Sequence, residues 1–386
     1  VVGLVNGVLI EGFFAAANQV FSVRDTDTPE DVVQPENPER SGSPSSLVAW
    51  DTLGRQGRSF TGTGPTVDEL NAFSGGGASV PIRVYVGLKS ADTLQGRADL
   101  VLEELKRTGA FEREVLVVAT TTGTGFLEPA AMQSFEYLHN GNTAIAGVQY
   151  SYLPSWISIL ADQETTKETS RVVFSTVHDY WRTLPEDTRP DIYLFGLSLG
   201  SFGVESILTS INIVNEPIDG ALLVGPPFVN DLWNEITETR DEGSPAWQPV
   251  YQEGRTVRFN ALENALDKPP GEWQETKVVY LQHASDPITF FSGELAFSSP
   301  DWLLEGQRGP DVSDKMQWQP IVTMWQVAGD LAVAGGVPRG HGHLYKSAEY
   351  LDGWVGISRP DGWTDADTAR LTELLDAKDL VEDSMD

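Results

Sequence analysis

Between residues 81 and 283 the sequence alternates short, largely apolar runs with longer segments of helical period, and this alternation restricts the fold more than any other feature. PIRVYVGL (81–88), EVLVVAT (114–120), TAIAGVQY (143–150), DIYLFG (191–196), GALLVG (220–225) and KVVYLQH (277–283) are too short for helices and rich in Val, Ile and Leu. Helical spacing falls between them: over ADTLQGRADLVLEELKRTGA, with Leu100, Leu102 and Leu105 inward, near 128–139, over 164–184 through Val172, Val173, Val177 and Trp181, and over 199–211. Strands buried on both faces and separated by helices form a mainly parallel sheet covered on both sides, so an α/β fold is expected. No internal repeat is apparent.

The flanks read differently. Residues 1–23 are apolar but broken by Asn6 and Glu11, too interrupted for a membrane span as they stand. Residues 24–80 are rich in Pro, Ser, Gly and acid and read as a connector packed on the body through Trp50 and Phe60. Residues 81–370 form the main domain. Within it, 226–276 carries no clean period and is expected to cap the carboxyl edge of the sheet. Residues 371–386 read as an acidic tail.

The chain has 56 acidic residues against 26 basic, a formal charge of −30, which disfavours nucleic acid and anionic headgroups as partners. It has no cysteine, which excludes disulfides and thiolate chemistry.

The chemistry centres on Gly196-Leu197-Ser198-Leu199-Gly200, a G-x-S-x-G set between a strong strand and a helix. Such a turn is sharp, so glycines at its flanks avoid clashes and the serine hydroxyl is lifted above the sheet edge. A serine needs a base, and in this architecture acid and base follow in the order Ser, Asp, His. Asp286, just past the strand KVVYLQH, is the expected acid, with Asp231 in reserve. PRGHGHLY supplies two histidines for the base, each directly after a glycine, with His341 favoured and His343 the alternative. His283 is expected to line the site, while His139 and His178 read as structural. Leu199 N–H is the first oxyanion donor expected, and Thr122 or Gly123, in the loop after EVLVVAT, the second. No phosphate loop, zincin helix or complete dinucleotide fingerprint is present, so neither cofactor nor metal is expected.

Beyond these residues, ERSGSPSSLVAWDTLGRQGRSF, ATTTGTGFLEP, QYSYLPSW, FGLSLGSFGVES, GPPF, QHASDPI and GHGHLY together resemble the catalytic domain of actinobacterial α/β-hydrolase-type membrane proteins. The resemblance runs from about residue 36 to about residue 364. It implies an α/β-hydrolase fold with Ser198 as nucleophile, Asp286 as acid and His341 or His343 as base. It also implies that Val1–Phe21 is the exit of a membrane region outside this sequence, with the domain anchored to a membrane and facing out of the cytoplasm. One departure is the additional strand–helix unit at 81–109, which bears on which loop completes the oxyanion hole. The expectation is a serine ester hydrolase or acyltransferase acting on a small-molecule or lipid ester. The alternative is a hydrolase-like domain that binds without turnover.

Overall fold

Among the described residues seven strands carry the architecture, all but the edge strand Val257–Asn260 formed where β-branched and aliphatic residues run together. The computed structural model describes residues 21–153, 158–159, 163–210 and 217–383. The strands are β1 (Ile82–Val86), β2 (Val115–Thr120), β3 (Thr143–Val148), β4 (Asp191–Leu197), β5 (Gly220–Val224), β6 (Val257–Asn260) and β7 (Lys277–Leu281). All neighbouring pairs are parallel, in the order β1-β3-β2-β4-β5-β7-β6. β1 to β3 are buried at every position, as a sheet covered on both faces requires.

The helices are α1 (Gly54–Gly62), α2 (Val67–Ser74), α3 (Leu94–Arg107), α4 (Pro129–Leu138), α5 (Gln163–Trp181), α6 (Leu199–Leu208), α7 (Asp231–Glu238), α8 (Val322–Asp330), α9 (Ser347–Ser358) and α10 (Asp365–Asp383). In α3 the buried seam is Ala98, Val101 and Leu105, while Leu100 and Leu102 are half-buried. The inward face is thus rotated from the one expected, because Glu104 is also drawn inside by Ser41, Ser46 and the Leu47 N–H. On α5, Val173, Val177 and Trp181 are buried and Val172 lies half-buried beside them.

Three boundaries differ from the sequence expectation. The stretch 226–276 is not simply a cap: its Val257–Asn260 pairs with β7 and forms the last strand of the sheet. Its four residues, Val-Arg-Phe-Asn, are too few to stand out as a period. Residues 371–386 are not a free tail up to Asp383, because they continue α10, whose Leu371 and Leu375 are buried. Asp379 on α10 accepts both the backbone N–H and the hydroxyl of Ser347, at 2.9 and 2.6 Å, at the start of α9.

The connector, finally, holds two helices. Its Glu39–Ser41 segment bonds alongside β1, where Arg83 N–H donates to Glu39 O at 3.2 Å and Ser41 N–H to Arg83 O at 3.0 Å. Those bonds occupy an otherwise open sheet edge. Phe60 is buried and Trp50 half-buried against the core. Residues 1–20 lie outside the described residues. Among the described ones, no helix is long and apolar enough to cross a membrane.

Candidate active site

Parallel sheets collect functional groups beyond the carboxyl ends of their strands, and three loops meet there in this chain. Ser198 sits between β4 and α6 at φ 53° and ψ −124°, a conformation that costs a non-glycine residue about 1–3 kcal/mol. The turn is held open by its neighbours. A Cβ on Gly196 would strike the Gly200 carbonyl, and one on Gly200 would strike the Thr120 carbonyl at the end of β2. Gly200→Ala is therefore expected to cost about 3 kcal/mol, since the atom it strikes, Thr120 O, is backbone and cannot turn aside. Gly293→Ala, with open space around its Cβ position, should stay within about 0.5 kcal/mol by urea denaturation.

α6 is tied down from its inner face. Ser201 Oγ donates to Ser198 O at 2.7 Å, and Asn230 Nδ2 donates to Ser201 Oγ at 3.3 Å. One turn further, Glu205 is buried and accepts from Leu232 N–H, Trp233 N–H and Tyr280 O–H at 3.1, 3.2 and 2.8 Å. Burial pushes its carboxyl up to about 7 against the pull of those donors. Nothing in FGVES marks this glutamate in the sequence, because its donors come from α7 and β7.

Asp286 is fully buried at the head of a single helical turn, Pro287–Phe290. Its Oδ1 accepts Ile288 N–H at 2.9 Å, and its Oδ2 accepts both His343 Nδ1–H at 2.7 Å and Tyr345 O–H at 2.8 Å. Burial raises its pKa, but His343, Tyr345 and Ile288 outweigh burial and hold the carboxyl below the usual range. With a depressed folded pKa, its contribution to stability is complete above about pH 4 and is lost only as pH falls through the lower folded value. Burial and then the Asp286 charge push Tyr345 well up, so its hydroxyl remains a donor.

His343, not His341, meets Asp286. The structure thus corrects the preference for His341, which is exposed and, among the described residues, pairs through its backbone alone, to Leu344. The reason is the local chain path. Gly340 and Gly342 both have positive φ, at 80° and 54°, and Gly340 N–H donates to Leu344 O at 2.7 Å. The resulting tight turn presents His341 to solvent and His343 inward. The His343 ring lies against Gly225, where a Cβ would come within 2.5 Å of its Cε1. Ser198 N–H donates to the carbonyl of Val224, the residue before that glycine, at 2.8 Å. Ser198 and His343 are thus seated on adjacent residues at the end of β5. His343 Nε2 is buried and has no partner among the described residues.

The remaining expected residues divide. Leu199 is the first residue of α6, where a backbone N–H has no intrahelical acceptor. Thr122 is corrected as an oxyanion donor, since its N–H is already given to Phe126 O at 3.0 Å. Gly123 is buried in the same turn, which Tyr85 O–H anchors by donating to Gly125 O at 2.7 Å. Asp231 is exposed at the start of α7 and takes no part. His139 bonds Ser358 and lies by Glu114 at the amino end of β2, and His178 stacks between Phe174 and Trp181, so neither stands with Ser198, Asp286 and His343.

A cavity of about 150 Å³ opens beside Asp286, walled by Phe290, Trp302, Val312, Met316 and Val327. A larger one of about 860 Å³ lies by Arg255 and Trp273 and has none of the candidate residues on its wall.

A parallel sheet covered by helices, a strained serine at a strand-to-helix bend, and a histidine–aspartate pair delivered by later loops define the α/β-hydrolase class. Residues 82–371 match the model of an alpha/beta-hydrolase family, and residues 1–65 match the model of that family's N-terminus. The chain belongs to this alpha/beta-hydrolase family. Among solved structures it is similar to an acetylxylan esterase determined at 0.90 Å resolution, at 15% identity and TM-score 0.28, covering 46% of this chain and 85% of that one. It is also similar to Trichoderma reesei cutinase in complex with a C11Y4 phosphonate inhibitor, at 15% identity and TM-score 0.24, covering 49% and 75%. No curated protein matches the chain.

Proposed function

We propose that the protein is a serine esterase or acyltransferase in which Ser198 attacks an ester carbonyl, His343 takes and returns the proton, and Asp286 orients the imidazole. The observation that carries this reading is the 2.7 Å bond from His343 Nδ1–H to Asp286, with Nε2 left buried and unpartnered beside the strand end that also holds Ser198. A bond at Nδ1 leaves the lone pair on Nε2, where a base must have it. The Ser198 proton goes to Nε2 as the Oγ–carbonyl bond forms, and the tetrahedral oxyanion is received by Leu199 N–H and a donor from the 121–125 loop. Collapse expels the alcohol with that same proton and leaves an acyl-serine. Water or a second alcohol then resolves it, giving hydrolysis or transfer. The substrate is a small-molecule or lipid ester, and an acylated lipid of the cell envelope fits a domain anchored to a membrane outside the cytoplasm.

Reaction with a fluorophosphonate probe tests the proposal. The wild type is expected to label at one serine, and Ser198→Ala to lose the label while keeping its far-UV spectrum. A folded wild type that stays unlabelled favours instead a domain that binds without turnover. Graded p-nitrophenyl esters then read the acyl length accepted.

A further inference from the structure

Three residues before Asp286, His283 is completely buried and bonded at both ring nitrogens. Its Nδ1 lies 2.9 Å from Gly342 O and its Nε2 2.9 Å from Glu349 Oε1. Both partners are acceptors. Glu349 Oε2 in turn accepts Lys346 N–H at 2.6 Å. A neutral imidazole has a single N–H and cannot donate in both directions. The His283–Glu349 pair must therefore hold one proton more than a neutral histidine beside a carboxylate.

The carbonyl that His283 grips belongs to the peptide joining Gly342 to His343. The N–H of that same peptide donates to Ala334 O at 3.1 Å. The preceding peptide is held as well: Gly342 N–H donates to Ser285 Oγ at 2.9 Å, and Ser285 donates to Asp311. The His283 ring also stacks on Tyr345, centroids 4.3 Å apart, and Tyr345 is the second donor to Asp286.

We infer that His283, kept protonated by Glu349, is a positioning residue for His343: it clamps the Gly342–His343 peptide and thereby sets the imidazole against Asp286. This rests on the serine-hydrolase reading above. The titratable groups around the ring are Glu349 and, beyond Tyr345, Tyr350 on α9, Asp286 and the Ser285-bound Asp311 on the β7 side, and His343 and Tyr345 in the 340–345 loop. Burial works against the charge on His283, but Glu349, the Gly342 carbonyl and the more distant Asp286 outweigh it and raise its pKa above the ordinary 6.5. A raised folded pKa means the clamp is complete below about pH 6.5 and is lost as pH rises through the higher folded value. Once neutral, the ring keeps its one hydrogen on the charged acceptor, Glu349, and releases Gly342.

Glu349→Gln gives the test. The glutamine carbonyl can accept Lys346 N–H while its amide donates to Nε2, so a neutral His283 keeps its hydrogen on Nδ1 and holds Gly342 at every pH. The wild type should lose its fluorophosphonate labelling rate on the alkaline side by about tenfold per pH unit. Glu349→Gln should lose that limb and keep the acid limb, with kcat rather than KM changing on an ester substrate, and Glu349→Asp should retain it. Ring nitrogen NMR of the wild type should show His283 doubly protonated at pH 7, with the His343 resonances shifting in step as it titrates. A neutral His283 at pH 7, resonances of His343 indifferent to it, or an unchanged alkaline limb in Glu349→Gln would overturn the inference. A wild type that never labels would instead sink the serine reading, while the NMR titration still decides the clamp.

Discussion

His343→Ala is expected to reduce kcat/KM by about 10⁴- to 10⁶-fold, while His341→Ala leaves it within about threefold. The two histidines stand two residues apart in one loop, so the pair of variants separates chemistry from local disturbance. His343 is bonded to a fully buried aspartate and packed on Gly225, whereas His341 faces solvent. Asp286→Asn should cost about 10⁴-fold. An asparagine amide directed at Nδ1 favours the tautomer with its hydrogen on Nε2, which cannot take the serine proton. Combined with Ser198→Ala, His343→Ala should add almost nothing, because in the proposed mechanism nucleophile and base act as one unit. Steady-state rates on a p-nitrophenyl ester check all four, and equal losses for the two histidine variants would contradict the assignment.

The second large effect concerns stability. Arg83 is the second residue of β1 and makes a bidentate pair with Glu136 on α4, Nε to Oε1 at 2.7 Å and Nη2 to Oε2 at 2.6 Å. The two side chains are 2% and 0% exposed, so neither charge can turn to water. Arg83 Nη1 also donates to Phe60 O at 2.7 Å, which ties α1 of the amino-terminal segment to the sheet. Arg83→Met should cost about 3–5 kcal/mol, because it strands the Glu136 carboxylate inside the protein. The double variant Arg83→Met with Glu136→Leu should recover most of that loss, since an apolar pair of similar volume removes both buried charges. Urea denaturation followed by far-UV circular dichroism reads both. If the double variant is as unstable as the single one, the bonds to the amino-terminal segment, and not the charge pair, carry the stability.

Short-range sterics and period were sufficient for much of this molecule. Runs such as VLVVAT and GALLV have nowhere to go but the middle of a covered sheet, so β2 and β5 were legible, as was α5 from its Val173–Val177–Trp181 spacing. The bend at Ser198 was legible for the same reason: Gly196 and Gly200 are required by atoms within four residues or on the adjoining strand. Where a feature depended on partners distant in the chain, local pattern failed. VRFN carries no strand signal of its own and becomes β6 because β7 lies beside it. The acidic carboxyl terminus looks like a tail until Leu371, Leu375 and Asp379 meet their partners.

The amino-acid order alone thus determined the class of fold and the sharp strand-to-helix bend that carries Ser198, because these rest on backbone sterics and burial of apolar runs. Only the tertiary structure decided that His343 and not His341 faces Asp286, that the Thr122 amide is already engaged, and that His283 and Glu349 grip the loop between them. Those outcomes turn on hydrogen bonds between residues far apart in the chain and on two positive-φ glycines that reorient alternate side chains. No spacing rule encodes such a choice, since the partners become neighbours only when the strands have assembled.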